Sequence, residues 1–176
     1  MPIREATPDD APGVGRVADA SWHAAHDRIV GEDAVDELLD QWYDPEDLPA
    51  SIERPEAPMF VASVEPRSTN SRTESDEDRI VGFAQGGPSE DGPADAVVGR
   101  IYVHPDHWGE GYGSRLLERL FDAFREDGHE SVWLAVMADN EVGRSFYDRH
   151  GFEVHEERTV EHVGVEVDDV VLVRDL

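Results

Sequence analysis

The chain contains no cysteine. It therefore has no disulfide framework, no thiol nucleophile and no cysteine-based zinc or iron–sulfur centre. It contains no lysine either, all 15 basic residues being arginine. That excludes a Walker-A lysine, a Schiff base and a pyridoxal phosphate anchor. Long apolar runs are also missing. The longest, Val132 to Ala138, has seven residues, against the ~20 of a membrane helix. The start, Met1-Pro2-Ile3-Arg4-Glu5, turns polar at once and has no apolar signal region. A soluble, cytoplasmic protein without a membrane partner is expected.

Positive charge is scarce and negative charge abundant. The 41 acidic residues leave a formal net charge of −26 over 176 residues. Such a balance argues against nucleic acids and anionic membranes as partners, because both are polyanions. It also implies self-repulsion in dilute buffer. Molar salt shortens the screening length to ~3 Å, from ~10 Å at 0.1 M, so an acidic, lysine-free surface is expected of a halophilic protein. With 39% hydrophobic residues, among them four Trp, six Phe and four Tyr, the chain can still build a core. Its length fits a single domain over 1–176.

The patterning predicts a strand at Pro2–Ala6, then a helix opened by Thr7-Pro8-Asp9-Asp10 and carrying Val14, Val17, Ala18, Trp22, Ala25 and Ile29 at helical spacing. A second helix with Val35, Leu38, Leu39 and Trp42 ends near Asp44-Pro45. Strands follow at 59–64, 79–84 and 97–103. Pro66 to Asp78, without an apolar residue, is expected to be a mobile hairpin tip, and Gly86 to Asp95 a turn. A helix through Leu116 and Phe124, a buried strand at 131–137, a short helix at 141–150 closed by Gly151, and strands at 152–162 and 167–173 complete the chain. The order β-α-α-β-β-β-α-β-α-β-β predicts a mixed α/β sheet with helices on its faces.

The most informative stretch is Ile101-Tyr102-Val103-His104-Pro105-Asp106-His107-Trp108-Gly109-Glu110-Gly111-Tyr112-Gly113-Ser114. A strand runs through a loop into a helix opened by three alternating glycines. Unpaired N–H groups at a helix start sit at the positive end of its dipole, and glycines let an anion approach them. This is a phosphate or pyrophosphate cradle. A Walker A is impossible without lysine. A dinucleotide fingerprint needs glycine where Ser114 stands and a turn directly after its strand, although Glu130 lies near the ribose-acid distance. A nucleotide-binding oxidoreductase thus stays as an alternative beside a coenzyme A loop.

Val103-His104-Pro105 followed by Trp108-Gly109-Glu110-Gly111-Tyr112-Gly113 resembles the coenzyme A motif of the GNAT superfamily of acetyl-CoA-dependent N-acetyltransferases, with Trp108 where Arg or Gln is usual. A second signature lies about 30 residues on: Asn140-Glu141-Val142-Gly143-Arg144-Ser145-Phe146-Tyr147, then Gly151-Phe152, is similar to Asn-x-x-Ala-x-x-Phe-Tyr-x-x-x-Gly-Phe, with Gly143 for Ala. The resemblance covers most of the chain. It implies a mixed, mostly antiparallel sheet of about seven strands flanked by about four helices, and acetyl-CoA as co-substrate without a metal. It implies that the amides of Gly109 to Ser114 hold the pyrophosphate and that the backbone of Ile101, Tyr102 and Val103 pairs with the pantetheine arm. Asn140 and Arg144 complete the cofactor contacts, and Tyr147 becomes the acid for the departing thiolate. A phenol near pKa ~10 can serve a thiol near ~8.5 when the site shifts both.

Direct transfer of an acetyl group to a primary amine of a small molecule or peptide is expected, and a non-catalytic acyl-CoA-binding module is the alternative. The base is the weak point. Asp95 and His104 are its candidates, since Val97 stands where many members carry Glu. Trp22, His23 and His26, on the first helix, are expected to contact the acceptor. No histidine pair has a third ligand for a metal. A homodimer stays open.

Overall fold

The computed structural model describes residues 3–64 and 80–176. The expected hairpin tip at 66–78 lies outside the described residues. Seven strands form one sheet: β1 (Ile3–Glu5), β2 (Met59–Ser63), β3 (Ile80–Pro88), β4 (Ala96–Val103), β5 (Ser131–Met137), β6 (Glu153–His162) and β7 (Val165–Asp175), in the spatial order β1-β2-β3-β4-β5-β7-β6. Every neighbouring pair is antiparallel except β4 and β5. The mixed, mostly antiparallel sheet expected from the sequence is therefore present.

The described residues form five helices rather than about four: α1 (Ala11–Val30), α2 (Glu32–Trp42), α3 (Leu48–Ile52), α4 (Tyr112–Glu126) and α5 (Glu141–Arg149). The addition is α3. Pro45 does end α2, but Pro49 sits in the first turn of α3, where a missing N–H costs nothing. A second correction concerns Gly86 and Gly87. They do not begin a turn; they lie within β3, opposite Val98 and Val97. A Cβ on Gly86 would come 2.3 Å from the Val97 oxygen, and one on Gly87 2.5 Å from the Glu56 oxygen. Glycine is present there for close approach.

Alternate strand residues face opposite sides, and the core splits accordingly. Phe60, Ala84, Val98, Leu134 and Leu172 pack with Leu116, Leu117, Leu120, Phe121 and Phe124 of α4. Met59, Val61, Phe83, Met137 and Val167 pack with Val14, Val17 and Trp22 of α1 and Val35 and Leu38 of α2. Truncating a fully buried ring such as Phe83 to Ala would cost about 3–5 kcal/mol.

One irregularity positions the site. Opposite β3, Arg100 pairs with Gln85 and Val98 with Gly86, so Gly99 is an extra residue in β4. Such a bulge bends and twists its strand. The parallel pairing of β4 with β5 covers only Ala96 with Val132 and Val97 with Trp133, just before the bulge. Beyond it the two strands part, and a cleft opens between their C-terminal ends.

Candidate active site

The cleft encloses about 740 Å³ and runs from the start of α4 to the space between α1 and β7. Its β4 wall presents unused backbone groups. The N–H of His104 donates to the Val81 oxygen on β3 at 2.8 Å. Successive residues of a strand direct their N–H groups to opposite edges, so Val103 turns its N–H and C=O toward the gap left by β5. Accordingly the indole N–H of Trp108 reaches the Val103 carbonyl at 2.7 Å.

Beyond Trp108 the backbone becomes a row of free donors. Gly109 and Gly111 adopt positive φ of 81° and 90°, a region that favours glycine, and a Cβ on either would project into open space. Gly111 caps α4. No hydrogen bond within the described chain uses the N–H groups of Gly109 through Ser114; the first helical bond is Arg115 N–H to the Gly111 oxygen, at 3.2 Å. Six successive donors at a helix N-terminus form a seat for a phosphate-bearing group. The backbone present thus fits the pyrophosphate and arm of coenzyme A.

Nearly all of the expected cofactor contacts line this cleft: Ile101, Tyr102, Val103, Trp108, Gly109, Gly111, Tyr112, Gly113, Ser114 and Asn140. Glu110 and Arg144 do not. The Glu110 carboxylate takes His107 Nδ1 at 2.8 Å, and the Arg144 guanidinium donates to the Ala138 oxygen at 3.2 Å. Asn140 caps α5 by accepting the Gly143 N–H at 3.0 Å. A Cβ on Gly143 would lie 2.7 Å from the Asn140 amide nitrogen, so an alanine there would require the Asn140 side chain to shift.

Tyr147 is half-buried on α5 and lines the same cleft, with its ring between Phe146 and Phe152 at 5.3 and 5.6 Å. No group of the described chain hydrogen-bonds its hydroxyl. Burial pushes its pKa upward, which keeps the phenol protonated. Tyr102 is pushed well up by the same cause.

The two expected bases lie elsewhere. Asp95 is at the opposite end of β4, where the strands are still joined. Its carboxylate accepts Glu130 N–H at 3.0 Å, Ser131 N–H at 2.9 Å and the Ser131 hydroxyl at 2.9 Å. Those donors, the Glu130 amide foremost, lower its pKa to about 2. Asp95 fastens the closed end of the β4–β5 fork and does not reach the cleft. His104 is not part of the lining; its Nδ1 accepts the Asp106 N–H at 3.2 Å, and burial lowers its pKa.

At the other end of the cleft, Trp22 and His26 lie one helical turn apart on the same face of α1, with ring centres 4.1 Å apart. His26 is only 4% exposed, and burial brings its pKa down to about 4, so the imidazole is neutral. His23 points away from the cleft. Its Nδ1 meets Asp27 at 2.7 Å and its Nε2 meets Asp36 of α2 at 2.9 Å. The helical period separates it from Trp22 and His26.

Several lining residues carried no sequence motif: Trp42, Arg100, His162 and Asp169. The Arg100 guanidinium stacks over Tyr43 at 4.7 Å and donates to the Trp42 oxygen at 3.0 Å. Asp169, on β7, is only 6% exposed. The one signal for it was parity: it shares the inward face of its strand with Val167 and Val171.

Comparison with known proteins agrees with this geometry. Residues 30–152 match the model of the acetyltransferase (GNAT) family. L-amino acid N-acyltransferase MnaT of Escherichia coli (strain K12) is 36% identical over 77 residues, covering 43% of this chain and 45% of that protein. The ribosomal protein bS18-alanine N-acetyltransferase of the same strain is 36% identical over 58 residues, covering 33% of this chain and 39% of that protein. The chain thus spans less than half the length of either relative. The crystal structure of PaiA N-acetyltransferase from Thermoplasma acidophilum in complex with coenzyme A superposes with a TM-score of 0.80 at 21% identity, over 99% of this chain and 98% of that one. The two signatures, the forked β4–β5 pair and the family match all agree: this chain belongs to the GNAT acetyltransferase family.

Proposed function

We propose that the chain transfers an acetyl group from acetyl-CoA directly to a primary amine. One observation carries this reading: a free strand-edge N–H at Val103, a row of unpaired amides at Gly109–Ser114 and an unpartnered phenol at Tyr147 line a single cleft. In this reading the α4 amides hold the pyrophosphate, and the edge of β4 aligns the arm. The Val103 N–H polarises the thioester carbonyl as charge grows on its oxygen. Tyr147 protonates the departing sulfur; the burial that keeps it protonated also disfavours a free thiolate. The splayed strands hold amine and thioester together. With no cysteine in the chain, an acyl-cysteine intermediate is excluded. Asp95 and His104 take no part in this mechanism.

We also propose that the enzyme works in concentrated salt, which the lysine-free, acidic composition supports. The deciding experiment is release of coenzyme A thiol in molar salt over a panel of primary amines. Amine-dependent release is expected. Binding of acetyl-CoA without release would identify a non-catalytic acyl-CoA-binding module instead.

A further inference from the structure

We propose that the end of the cleft between α1 and β7 is a subsite for a protonated primary amine carried on a flat apolar body and lacking a free carboxylate, with Asp169 binding the ammonium and accepting its proton. This rests on the transferase reading above and names its acceptor and its base.

The placement of Asp169 is the starting point. It pairs in register with Met137, the last residue of β5, where β5 has already left β4, and on its other side with Arg158 of β6. It shares a strand face with Val167, which packs in the core beneath α1 and α2. Its carboxylate lines the cleft, and no hydrogen bond or ion pair within the described chain engages it. The residue is largely covered, but its carboxylate is open to a cation that enters the cleft.

The surroundings define that partner. Rings form a continuous wall: Trp22 lies 5.6 Å from both Trp42 and Tyr102, and Trp42 lies 5.7 Å from His162. Aromatic faces attract cations and pack flat apolar groups. Arg100 is committed to Gln85, Ser51 and the Trp42 backbone, and the other arginine at this end, Arg158, stands directly across from Asp169, so a carboxylate entering here would meet the like charge of Asp169 as well. In a chain of net charge −26, a cation is favoured over a zwitterion.

Burial raises the Asp169 pKa, with His162 and Arg158 on β6 opposing the rise and Asp168 on its own strand adding to it. The other titratable groups lining the cleft are His26 on α1, Tyr43 after α2, Arg100 and Tyr102 on β4, His107 before α4, Tyr112 on α4, and Tyr147 and Arg149 on α5. A raised carboxyl is a better proton acceptor than an ordinary one. The ammonium gives its first proton to Asp169, which passes it to solvent. The amine nitrogen then bonds the acetyl carbon, and the carbon–sulfur bond breaks. Tyr147 supplies the proton that makes the thiol, and the second nitrogen proton restores the phenol. One amide, one thiol and one proton result.

The test compares 2-phenylethylamine, ethylamine and phenylalanine as acceptors in molar salt, with wild type, Asp169→Asn and Asp169→Glu. Binding of 2-phenylethylamine to the protein without acetyl-CoA is followed by tryptophan fluorescence. Wild type should prefer 2-phenylethylamine to each of the others by about tenfold in kcat/KM. Asp169→Asn should weaken amine binding about tenfold and lower kcat/KM about 100-fold. Its acidic limb should move up toward the amine's own pKa, with Asp169→Glu partly restoring both. Unchanged acetyl-CoA affinity in Asp169→Asn shows that the variant is folded. Wild-type amine affinity and an unshifted pH profile in that variant would overturn the base assignment. Equal or better use of phenylalanine or ethylamine would overturn the acceptor class. If wild type binds the amine yet releases no thiol with any acceptor, the transferase reading fails while the subsite stands.

Discussion

The two ends of the cleft, which we propose hold the cofactor and the acceptor, are built in opposite ways. The cofactor end is made mainly of backbone, namely the outer edge of β4 and the amides before and within the first turn of α4, all within Ile101–Ser114. The acceptor end is made of side chains from α1, α2, β4, β6 and β7, brought together across more than a hundred residues of chain. A backbone site leaves a local mark, because only glycine tolerates the positive φ and leaves the donors uncovered. A side-chain site leaves no mark, because each contributor is an ordinary core or strand residue until the fold assembles it.

Substitutions and conditions that act on one end and spare the other sharpen this contrast. The largest effect is expected where the ends meet: Tyr147→Phe should lower kcat on the order of 100-fold with acetyl-CoA affinity unchanged. Full activity in a thiol-release assay would remove the acid assignment. At the cofactor end, Gly111→Val forces a branched residue into left-handed backbone and covers free amides. It should weaken acetyl-CoA binding about tenfold or more, measured by calorimetry, and leave amine binding intact. Ionic strength should divide the ends by sign. Going from 0.1 M to molar salt should lower KM for the anionic acetyl-CoA severalfold and raise KM for a cationic amine by a similar factor, roughly two- to tenfold each. Parallel changes would contradict the division.

At the acceptor end, Trp42→Ala is the milder probe, since this ring is 37% exposed and its loss spares the core. An about fivefold rise in amine KM, with acetyl-CoA KM unchanged, is expected from a lost cation–aromatic contact. The smallest effect concerns the support of that wall. His23 ties α1 to Asp36 of α2, and although burial opposes charging, the Asp27 hydrogen bond and the charges of Asp27, Asp19 and Asp36 raise its pKa above 6.5. The folded state then holds the proton more tightly than the unfolded one. The pair's stabilisation is full below pH 6.5 and is lost as pH rises through the folded value. Partial exposure keeps it below about 1 kcal/mol. Denaturant unfolding from pH 5 to 9 should show this slope, and His23→Gln should flatten it.

Several elements were legible because their signals are local. The apolar stripe of α4, the capping Asn140 and the glycines before α4 each depend on neighbours a few residues away. The misreadings share a different origin. Gly86 and Gly87 looked like a turn because the close approach of Val97 and Glu56 cannot be read from the glycines themselves. Asp95 looked like a base because it is the carboxylate nearest to Val97, where many members carry Glu, while the Glu130 and Ser131 donors that engage it lie at the start of β5, about 35 residues later. His23 looked like its neighbours Trp22 and His26 until Asp36 of the next helix was placed beside it.

By itself the sequence determined the charge of the surface and the glycine-opened backbone at the start of α4. Charge, the absence of lysine and cysteine, and the glycine spacing act through composition and local backbone conformation, and they need no tertiary context. Only the tertiary structure decided where β4 and β5 part, which of three nearby α1 side chains faces the cleft, and that Asp169 lies buried and unengaged at its end. Those are outcomes of long-range packing, in which one bulge at Gly99 and one strand parity on β7 determine what a carboxylate can reach.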